Sequence, residues 1–475
     1  MTSRPTSAVG RRLLFTDGSL VEHSSGVSLK VNPPLKAGPV LVANRPWEGH
    51  RLGAYGTVID DGGLYRMWYD SIDNDGRIFH CHAISRDCAH WERPNLGLVE
   101  YAGSKENNIL PLPPCGTVFI DPRAAKGQRC KYVTYGHGVD VGFGREYGVR
   151  VWWSEDGLKW HRNSSLALEF NADTQNQAFW DDRIHKCVAY LRAWNPLRCI
   201  ARVEVDDILK PWPCSLSTDE PSRGSDPAKW PPPTTELPVV FKYDDGDPQN
   251  SDHYNPCVIK YPYASDLYFM FPSAYFHFPD PPQGAHANDG RLEVQFATSR
   301  DGIEWHRPSR DPYVGLGGEG DPDSEQMYML VGMIRRDSEL SMFYSGYNFT
   351  HGSYDIKTMR YKGSIMRLIQ RLDGFTSIDA GSSLGEVLTK PISFSGTGLS
   401  VNVNSSAGDF RAEVQGEGGR PIAGFDIGSC DTVRADDCSR ALSWKGRYDL
   451  SSISGNVIRL RFLMRRAKLF SFWFS

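Results

Sequence analysis

The sequence predicts an all-β protein, made of a five-bladed β-propeller followed by a β-sandwich of the jelly-roll type. First, the 475 residues include 13 Trp, 21 Tyr and 22 Phe beside 46 Gly and 31 Pro, which is typical of many short strands joined by tight turns. Second, a strand-like run that ends in Ser-x-Asp and is followed by a tryptophan recurs along the chain. Third, the pattern changes after residue 376 to evenly alternating runs. The recurring phrase is clear at Phe79–Trp91, Val149–Trp160 and Leu292–Trp305, and weaker at Ala201–Trp212 and Ser364–Phe375.

Each copy of the phrase ends a unit of three predicted strands. In the first unit, residues 54–61 and 64–71 alternate around a Gly-Gly turn, which predicts a β-hairpin, and residues 77–85 form the third strand. A fourth, outer strand is expected near the tryptophan, because propeller blades have four strands around a central channel. The later units repeat this layout, with predicted strands at 115–122, 131–138 and 148–154; at 177–182, 185–194 and 199–205; at 255–261, 266–276 and 291–299; and at 327–334, 339–349 and 362–370.

We interpret the Ser-x-Asp phrase as a structural turn. The aspartate side chain caps the turn, the residue after it adopts a positive φ that glycine allows, and the tryptophan packs between blades. The phrase therefore locates the blades and is not expected to carry chemistry.

The predicted domain boundaries follow from these changes in pattern. Residues 1–40 form a lead-in segment packed on the propeller, residues 41–375 form the five blades, and residues 376–475 form a sandwich docked against them. Residues 213–250 are rich in proline and lack periodicity, which predicts a long loop over one face.

The composition excludes some classes of protein. A net charge of −4 argues against a nucleic-acid partner, and no run approaches the ~18 apolar residues of a membrane span. The first residues show no signal peptide, so a cytoplasmic protein and an exported one whose signal is removed both stay open. The ten cysteines form no CxxC and are expected to be reduced and buried, with a Cys430–Cys438 disulfide as the alternative for an exported protein. The oligomeric state stays open.

Several short segments carry a resemblance to a known family. They are Pro46–Glu48, Tyr65–Tyr69, Asp173–Asn176, Leu460–Phe462 and Phe472–Phe474, together with the three Ser-x-Asp turns. The chain resembles the five-bladed β-propeller glycoside hydrolases of the family 32/43 type with a C-terminal β-sandwich, as a divergent member. The invertase signature Trp-x-Asn-Asp-Pro-Asn-Gly is absent, so the resemblance does not extend to fructosyl chemistry.

The resemblance implies a glycoside hydrolase whose catalytic domain is the propeller. Glycoside hydrolysis needs two carboxyl groups, one to protonate the leaving group and one to act as base or nucleophile. In a propeller, side chains just before the innermost strand of each blade line the central funnel. On this basis we predict Asp173 as base or nucleophile and Glu48 and Glu325 as candidates for the acid.

Further polar and aromatic residues at the same ends are predicted to bind the substrate. Asp252 and Asp323 would orient the sugar or tune the acid, and the aromatic rings suit stacking on a sugar face. The remaining predicted binding residues are His253, Tyr254, Asn176, Arg51, Arg192, His351 and Trp47. We expect a carbohydrate substrate and no metal or other cofactor.

Two alternatives to hydrolysis stay open. A non-catalytic carbohydrate-binding propeller would keep the aromatic residues without two facing carboxylates. A glycoside phosphorylase on the same scaffold would need a cluster of Arg, Lys or His for phosphate, for which Arg51, His50 and His253 are candidates.

Overall fold

The structure is a computed structural model that describes residues 5–135, 148–170, 172–214, 237–279, 288–353 and 362–475. It is all-β, as predicted: 35 strands, β1 to β35 in chain order, are present in these ranges. None of the described helices is long and apolar enough to span a membrane. Short 3₁₀ helices lie at Gly18–Leu20, Pro46–Glu48, Lys126–Gln128 and Ser451–Ile453.

The first three predicted units each form four antiparallel strands. In these three units the strands pair in chain order; the first strands of units 2 and 3 lie at a sheet edge, and that of unit 1 also pairs with a strand of unit 5. Unit 1 contains β6 (Arg51–Asp61), β7 (Leu64–Ile72), β8 (Ile78–Ser85) and β9 (Ile109–Leu110); unit 2 contains β10 (Thr117–Ile120), β11 (Cys130–Tyr135), β12 (Val149–Ser154) and β13 (His161–Arg162); unit 3 contains β14 (Gln177–Asp181), β15 (Lys186–Trp194), β16 (Arg198–Val205) and β17 (Val239–Phe241).

Strand β17 lies inside the segment 213–250 that we predicted to be a loop. It pairs with β16, so that prediction is wrong at residues 239–241. Residues 215–236 of the same segment lie outside the described part of the chain.

Units 4 and 5 are less regular. Unit 4 consists of a three-stranded sheet and three further strands that continue toward unit 5, and unit 5 takes its outer strand from the N-terminal segment. Unit 4 contains β18 (Ser251–His253), β19 (Val258–Lys260), β20 (Tyr268–Met270), β21 (Ser273–His277), β22 (Gly290–Val294) and β23 (Ala297–Ser299); unit 5 contains β24 (Gln326–Met329), β25 (Ile334–Arg336), β26 (Glu339–Tyr347), β27 (Gly363–Arg371) and β5 (Leu35–Val42).

The three Ser-x-Asp turns have the predicted geometry. Asp87, Asp156 and Asp301 each accept two backbone N–H bonds from the residues two and three positions on. The residue after each aspartate has a positive φ, of 65° at Cys88, 72° at Gly157 and 76° at Gly302.

The carbonyls of two of these turns contact a neighbouring unit. Gly157 accepts a 2.9 Å bond from the Trp68 indole of unit 1, and Gly302 accepts a 2.8 Å bond from the Tyr190 hydroxyl of unit 3. The turns therefore join units, and their interpretation as structural elements is confirmed.

The first strands of the units are also bonded to one another. The Val118 N–H donates to Thr57 Oγ1 (3.0 Å) between units 1 and 2, and Thr117 Oγ1 donates to the Asn176 carbonyl (2.7 Å) between units 2 and 3. The Gln177 side chain bonds both the N–H and the carbonyl of Val258, between units 3 and 4.

The bonds continue through unit 5 and return to unit 1. Ser273 Oγ donates to the Met327 carbonyl (2.9 Å), and the Val58 N–H donates to the Val331 carbonyl (2.8 Å). These bonds satisfy backbone groups at strand edges that no ladder covers. They support a ring of five blades, which we retain as a prediction.

Two further sheets combine the beginning and the end of the chain, six strands in each. The lead-in strands β1 to β4 pair with strands after residue 376. One sheet contains β1 (Thr6–Ser7), β3 (Val21–Ser25), β29 (Gly385–Thr389), β30 (Ile392–Ser393), β32 (Asp409–Gly416) and β34 (Val457–Arg465); the other contains β2 (Leu13–Leu14), β4 (Val27–Val31), β28 (Thr376–Ala380), β31 (Leu399–Asn404), β33 (Asp436–Ala441) and β35 (Ala467–Phe474).

One apolar cluster contains buried residues from both of these sheets. It includes Val387 and Leu460 from the first sheet and Val401, Leu469 and Phe472 from the second. This shared core supports the predicted sandwich. The division at residues 40 and 376 stays a prediction, and its first boundary falls inside β5.

All ten cysteines lie within the described residues, and all ten are free thiols. Eight of them are buried, and Cys214 and Cys438 are partly exposed. The structure thus agrees with the expected burial of most cysteines, and the reduced state of the thiols stays a prediction.

A buried carboxylate joins the two parts of the molecule. Asp373, in the turn after β27, accepts hydrogen bonds from Arg12 Nη1 (2.7 Å), the Tyr261 hydroxyl (2.6 Å) and Ser471 Oγ (2.6 Å). Its side chain is fully buried. Its partners belong to the lead-in segment, to unit 4 and to the last strand.

We expect Asp373→Asn to destabilise the protein by about 3 kcal/mol, because removing one partner of a buried ion pair leaves the Arg12 charge without its counterion. Urea unfolding followed by tryptophan fluorescence measures this change. Asp75→Asn is the control, because the Asp75 side chain is 78% exposed and should contribute little. Equal unfolding midpoints for the two variants would contradict the role assigned to Asp373.

Candidate functional site

Four tyrosines from different units lie together near Asp173 and form what we call the tyrosine cluster: Tyr55, Tyr135, Tyr254 and Tyr328. Tyr55 and Tyr328 lie on the first strands β6 and β24, Tyr135 ends β11, and Tyr254 follows β18. All four rings are buried. Antiparallel pairing brings the start of one strand and the end of the next to the same place, which is why these residues meet.

Asp173 lies beside this cluster with 36% of its side chain exposed. The Tyr135 hydroxyl donates to Asp173 Oδ1 over 3.4 Å. Burial raises the pKa of the Tyr55 and Tyr254 hydroxyls, and the Asp173 charge raises both further. The tyrosines therefore stay protonated and can donate hydrogen bonds to a ligand.

The backbone at Asp173 is strained. Asp173 has a φ of 32°, and Thr174 has a φ of 107°, a value that β-branched residues rarely adopt. Thr174 is held by its Oγ1 bond to the Tyr55 hydroxyl (2.8 Å) and by the Asn176 amide, which donates to its carbonyl (2.9 Å). Strain of this kind is concentrated at functional sites, where the surroundings hold it.

Arg192, at the end of β15, lies under Asp173 with no exposed surface. Its Nε donates to the Tyr254 carbonyl, and its guanidinium carbon lies 4.2 Å from the centre of the Tyr254 ring. Its Nη1 is 3.5 Å from Asp173 Oδ2. Neither Nη1 nor Nη2 has a hydrogen-bond partner among the described residues.

A second arginine packs against the same tyrosine. Arg198 forms a 2.9 Å ion pair with Asp252, and its guanidinium carbon lies 5.4 Å from the centre of the Tyr254 ring. His277 Nε2 lies 3.3 Å from the same Asp252 oxygen. Burial by itself would raise the pKa of Asp252. The positive charge of Arg198, together with His277 and the hydrogen bonds from both side chains, outweighs burial and lowers that pKa.

His351 completes this side of the site. Its Nδ1 is 3.0 Å from the Tyr328 hydroxyl, and its ring centre is 4.8 Å from that of Tyr254. Burial, followed by the charge of Arg198, lowers the pKa of His351 to about 3, so the imidazole is neutral at pH 7.

The structure thus brings together six of the predicted site residues. They are Asp173, Asn176, Arg192, Asp252, Tyr254 and His351. Asn176 also accepts the Arg192 backbone N–H through Oδ1 over 3.3 Å, which helps to place the arginine.

The two predicted acids have other partners. Glu48 is completely buried, with its oxygens bonded to Arg93 Nε (2.7 Å), to the Tyr69 hydroxyl (2.8 Å) and to the Asn44 N–H (3.0 Å). Glu325 pairs with Arg291 through both oxygens, at 2.6 and 3.2 Å. None of these partners belongs to the tyrosine cluster, so the catalytic roles of Glu48 and Glu325 stay predictions.

Three other predicted residues also make contacts outside the cluster. Asp323 binds Lys36 Nζ and the Tyr344 hydroxyl, both at 2.7 Å. Trp47 donates through Nε1 to Asn108 (2.8 Å). His253 is buried beside Phe241, with ring centres 4.6 Å apart.

Arg51 lies near the edge of the site, close to the buried Tyr347. Burial raises the pKa of the Tyr347 hydroxyl, and the positive charge of Arg51 opposes this increase. Its guanidinium carbon is 6.0 Å from the centre of the Phe349 ring. His50 hydrogen-bonds Asn74 over 3.2 Å.

Sequence analysis missed Tyr135, Tyr328, Arg198 and His277. Our criterion considered mainly residues just before the first strand of each unit. The same end also receives the last residues of the second strand and the first residues of the third. Extending the criterion to those positions would have found Tyr135 and Arg198.

A buried pair beneath the cluster was missed for the same reason. Asp70, at the end of β7, binds His80 Nδ1 (2.7 Å) and the Cys115 N–H (2.9 Å). Burial raises the pKa of the Cys115 thiol well above its usual value, and the charges of Asp70 and Asp173 raise it further. Cys115 is therefore a protonated thiol near the carboxylates of Asp70 and Asp173.

A separate cavity of about 520 Å³ lies further along the first strands, away from the tyrosine cluster. Its walls are mostly apolar and come from all five units, as at Val58, Phe119, Phe179, Ile259 and Val331. It contains none of the predicted site residues.

Comparisons with known proteins were made for the whole chain. No family model matches it. A curated protein of Mycobacterium tuberculosis, described as uncharacterized protein MT1551, is 30% identical over 142 residues. The match covers 28% of the chain and 42% of that protein, so the chain spans less than half the length of this relative.

Solved structures of glycoside hydrolases are similar to the chain at low identity. One, described as a glycoside hydrolase, has 16% identity and a TM-score of 0.45, covering 71% of this chain and 92% of its own. A thermostable family-43 glycoside hydrolase has 14% identity and a TM-score of 0.41, covering 71% and 95%.

A third structure comes from work on the GH130 family of mannoside phosphorylases and hydrolases. It has 13% identity and a TM-score of 0.40, covering 78% of this chain and 96% of its own. These structures belong to the class of proteins, glycoside hydrolases, that the sequence resembles.

Two buried histidines predict an acid-sensitive fold. Burial lowers the pKa of His253 to about 4 and that of His351 to about 3, whereas a histidine in an unfolded chain titrates near 6.5. Below pH 6.5 the unfolded state therefore binds more protons, and stability should fall between about pH 6.5 and 4. Arg307 opposes protonation of His253, and Asp247, Asp252 and Asp244 favour it.

Urea unfolding at pH 7, 6, 5 and 4 tests this expectation. His253→Gln should remove up to about 3 kcal/mol of the loss on acidification. The control His306→Gln should leave the profile unchanged, because His306 is exposed. An unchanged profile in His253→Gln would contradict the neutral state assigned to His253.

Proposed function

We propose that this protein is a carbohydrate-active enzyme, a glycoside hydrolase that acts at Asp173 and the tyrosine cluster. The observation that carries the proposal is Asp173 itself, a partly exposed carboxylate on a strained backbone, surrounded by buried tyrosines and an arginine. Sites for small molecules combine apolar and aromatic walls with a few placed polar groups. A sugar matches this combination, with apolar ring faces and hydroxyls around its edge.

In this proposal Asp173 acts as base or nucleophile. Its carboxylate reaches the site, while Arg192 and Tyr135 hold it in place. Tyr55, Tyr254 and Tyr328 would donate hydrogen bonds to sugar hydroxyls. The acid role stays with Glu48 or Glu325 as a prediction from the sequence, and Asp70 is a further buried carboxylate near the site.

A non-catalytic carbohydrate-binding protein is the second candidate. The observation that favours it is that both predicted acids are engaged by arginines, Glu48 by Arg93 and Glu325 by Arg291. This function would keep sugar binding at the tyrosine cluster and show no turnover.

We expect Asp173→Asn to lower hydrolysis by at least about 100-fold, because the amide cannot act as base or nucleophile. Turnover is measured on a panel of 4-nitrophenyl glycosides and oligosaccharides, and stability by thermal unfolding. The thermal measurement confirms that the variant is folded at the assay temperature, because the substitution also removes a charged partner of the buried Arg192. Full activity in this variant would refute the assignment, and an inactive wild-type protein that still binds sugars would favour the second candidate.

Glu48→Gln separates a structural role from a catalytic one. Because Glu48 is completely buried against Arg93, we expect a loss of about 3 kcal/mol in the free energy of unfolding. Glu325→Gln is the matched variant, and its more exposed pair with Arg291 predicts a loss below about 1 kcal/mol. If Glu48→Gln unfolds at the same urea concentration as wild type but loses activity, Glu48 is the acid.

A further inference from the structure

Arg192 has a geometry suited to an anionic ligand. The Nε bond to the Tyr254 carbonyl and the stacking on the Tyr254 ring fix the guanidinium plane. Nη1 and Nη2 then remain without a hydrogen-bond partner among the described residues, on a side chain with no exposed surface. Leaving buried charged donors unsatisfied costs stability, so such donors usually have a ligand or another partner.

The ion pair between Arg192 and Asp173 is loose. The two charged atoms are 3.5 Å apart, whereas charge-assisted N–H···O bonds are about 2.7–2.9 Å long. The neighbouring Arg198, by contrast, is 2.9 Å from Asp252, with both side chains buried. Of the two arginines that pack on Tyr254, Arg192 therefore has the weaker carboxylate partner.

We propose that Arg192 binds a carboxylate carried by the substrate, so that the substrate is a glycoside of a sugar acid. A guanidinium presents two N–H groups in a plane, which matches the two oxygens of a carboxylate. The incoming carboxylate takes over Nη1 and Nη2, in place of the loose contact that Nη1 makes with Asp173. This inference rests on the proposed function for the location of the sugar but can fail separately from it.

The same two N–H groups of Arg192 would also bind free inorganic phosphate. The experiment therefore tests sugar acids and inorganic phosphate separately. Binding is measured by isothermal titration calorimetry with the methyl glycosides of glucuronic, galacturonic and mannuronic acid. Each is compared with its neutral counterpart and with inorganic phosphate, at constant ionic strength. The proteins are wild type, Asp173→Asn, Arg192→Met, Arg192→Lys and the control Arg129→Met, whose side chain pairs with Asp61 outside the tyrosine cluster.

We expect at least one sugar acid to bind at least 10-fold more tightly than its neutral counterpart to wild type and to Arg129→Met. Asp173→Asn should retain or strengthen this preference, because it removes the competing carboxylate. Arg192→Met should abolish the preference, and Arg192→Lys should reduce it because an ammonium group lacks the planar pair of donors.

The outcomes separate this inference from the proposed function. Equal binding of acid and neutral sugars by the wild-type protein, or no binding of any sugar acid, overturns the inference even if Arg192→Met does not fold. Arg192-dependent binding of phosphate without a preference for sugar acids assigns the site to free phosphate and also overturns it. If the protein hydrolyses only neutral glycosides, the proposed function holds and the inference fails. If it binds sugar acids but hydrolyses none, the inference holds and the proposed function fails.

Discussion

The backbone at the first strand of each unit imposes the main constraint on this structure. The first strands β10, β14 and β19 of units 2, 3 and 4 lie at the edges of their sheets, so their outward N–H and carbonyl groups need partners that the ladders do not supply. Side chains from the adjacent unit supply some of them, as Thr57 does for Val118 and Gln177 does for Val258. Because the bonds run from unit to unit, the position of one first strand depends on its neighbours.

The candidate site depends on the same bonds between units. Asn176 connects three contacts: its carbonyl accepts from Thr117, its amide holds the strained Thr174, and its Oδ1 accepts from the Arg192 backbone. A bond that joins units 2 and 3 therefore also places Asp173 and Arg192. Asn176 therefore contributes both to the stability of the fold and to the positions of the Asp173 and Arg192 side chains.

Local features were predictable from the sequence, and distant pairings were not. The turns at Asp87, Asp156 and Asp301 form bonds within three residues, so their spacing alone identifies them. The criterion based on strand starts selected Asp173, which the structure places beside the tyrosine cluster. It also selected Glu48, but the partner that occupies Glu48 is Arg93, 45 residues away, and nothing in the local pattern indicates that pairing.

The lead-in segment shows the same limit. Its strands have the expected alternation, but their partners β28, β29, β30 and β35 lie beyond residue 375. Alternation predicts which residues form a strand and which face is buried, and it does not specify the partner strand. For this reason the segment was expected on the propeller, while its strands β1 to β4 share sheets with the C-terminal strands.

The pairing of the two ends also has a consequence for synthesis on the ribosome. β4 ends at Val31, and its partner β28 begins at Thr376, so about 345 residues are translated between them. At about 5–20 residues per second, the first strands emerge on the order of tens of seconds before their partners exist. During that time their apolar faces have no native sheet to join. The unpaired edges of β1 to β4 therefore stay exposed in the nascent chain until the C-terminal strands are synthesised. Chaperone binding would matter most during this period, because exposed strand edges promote aggregation.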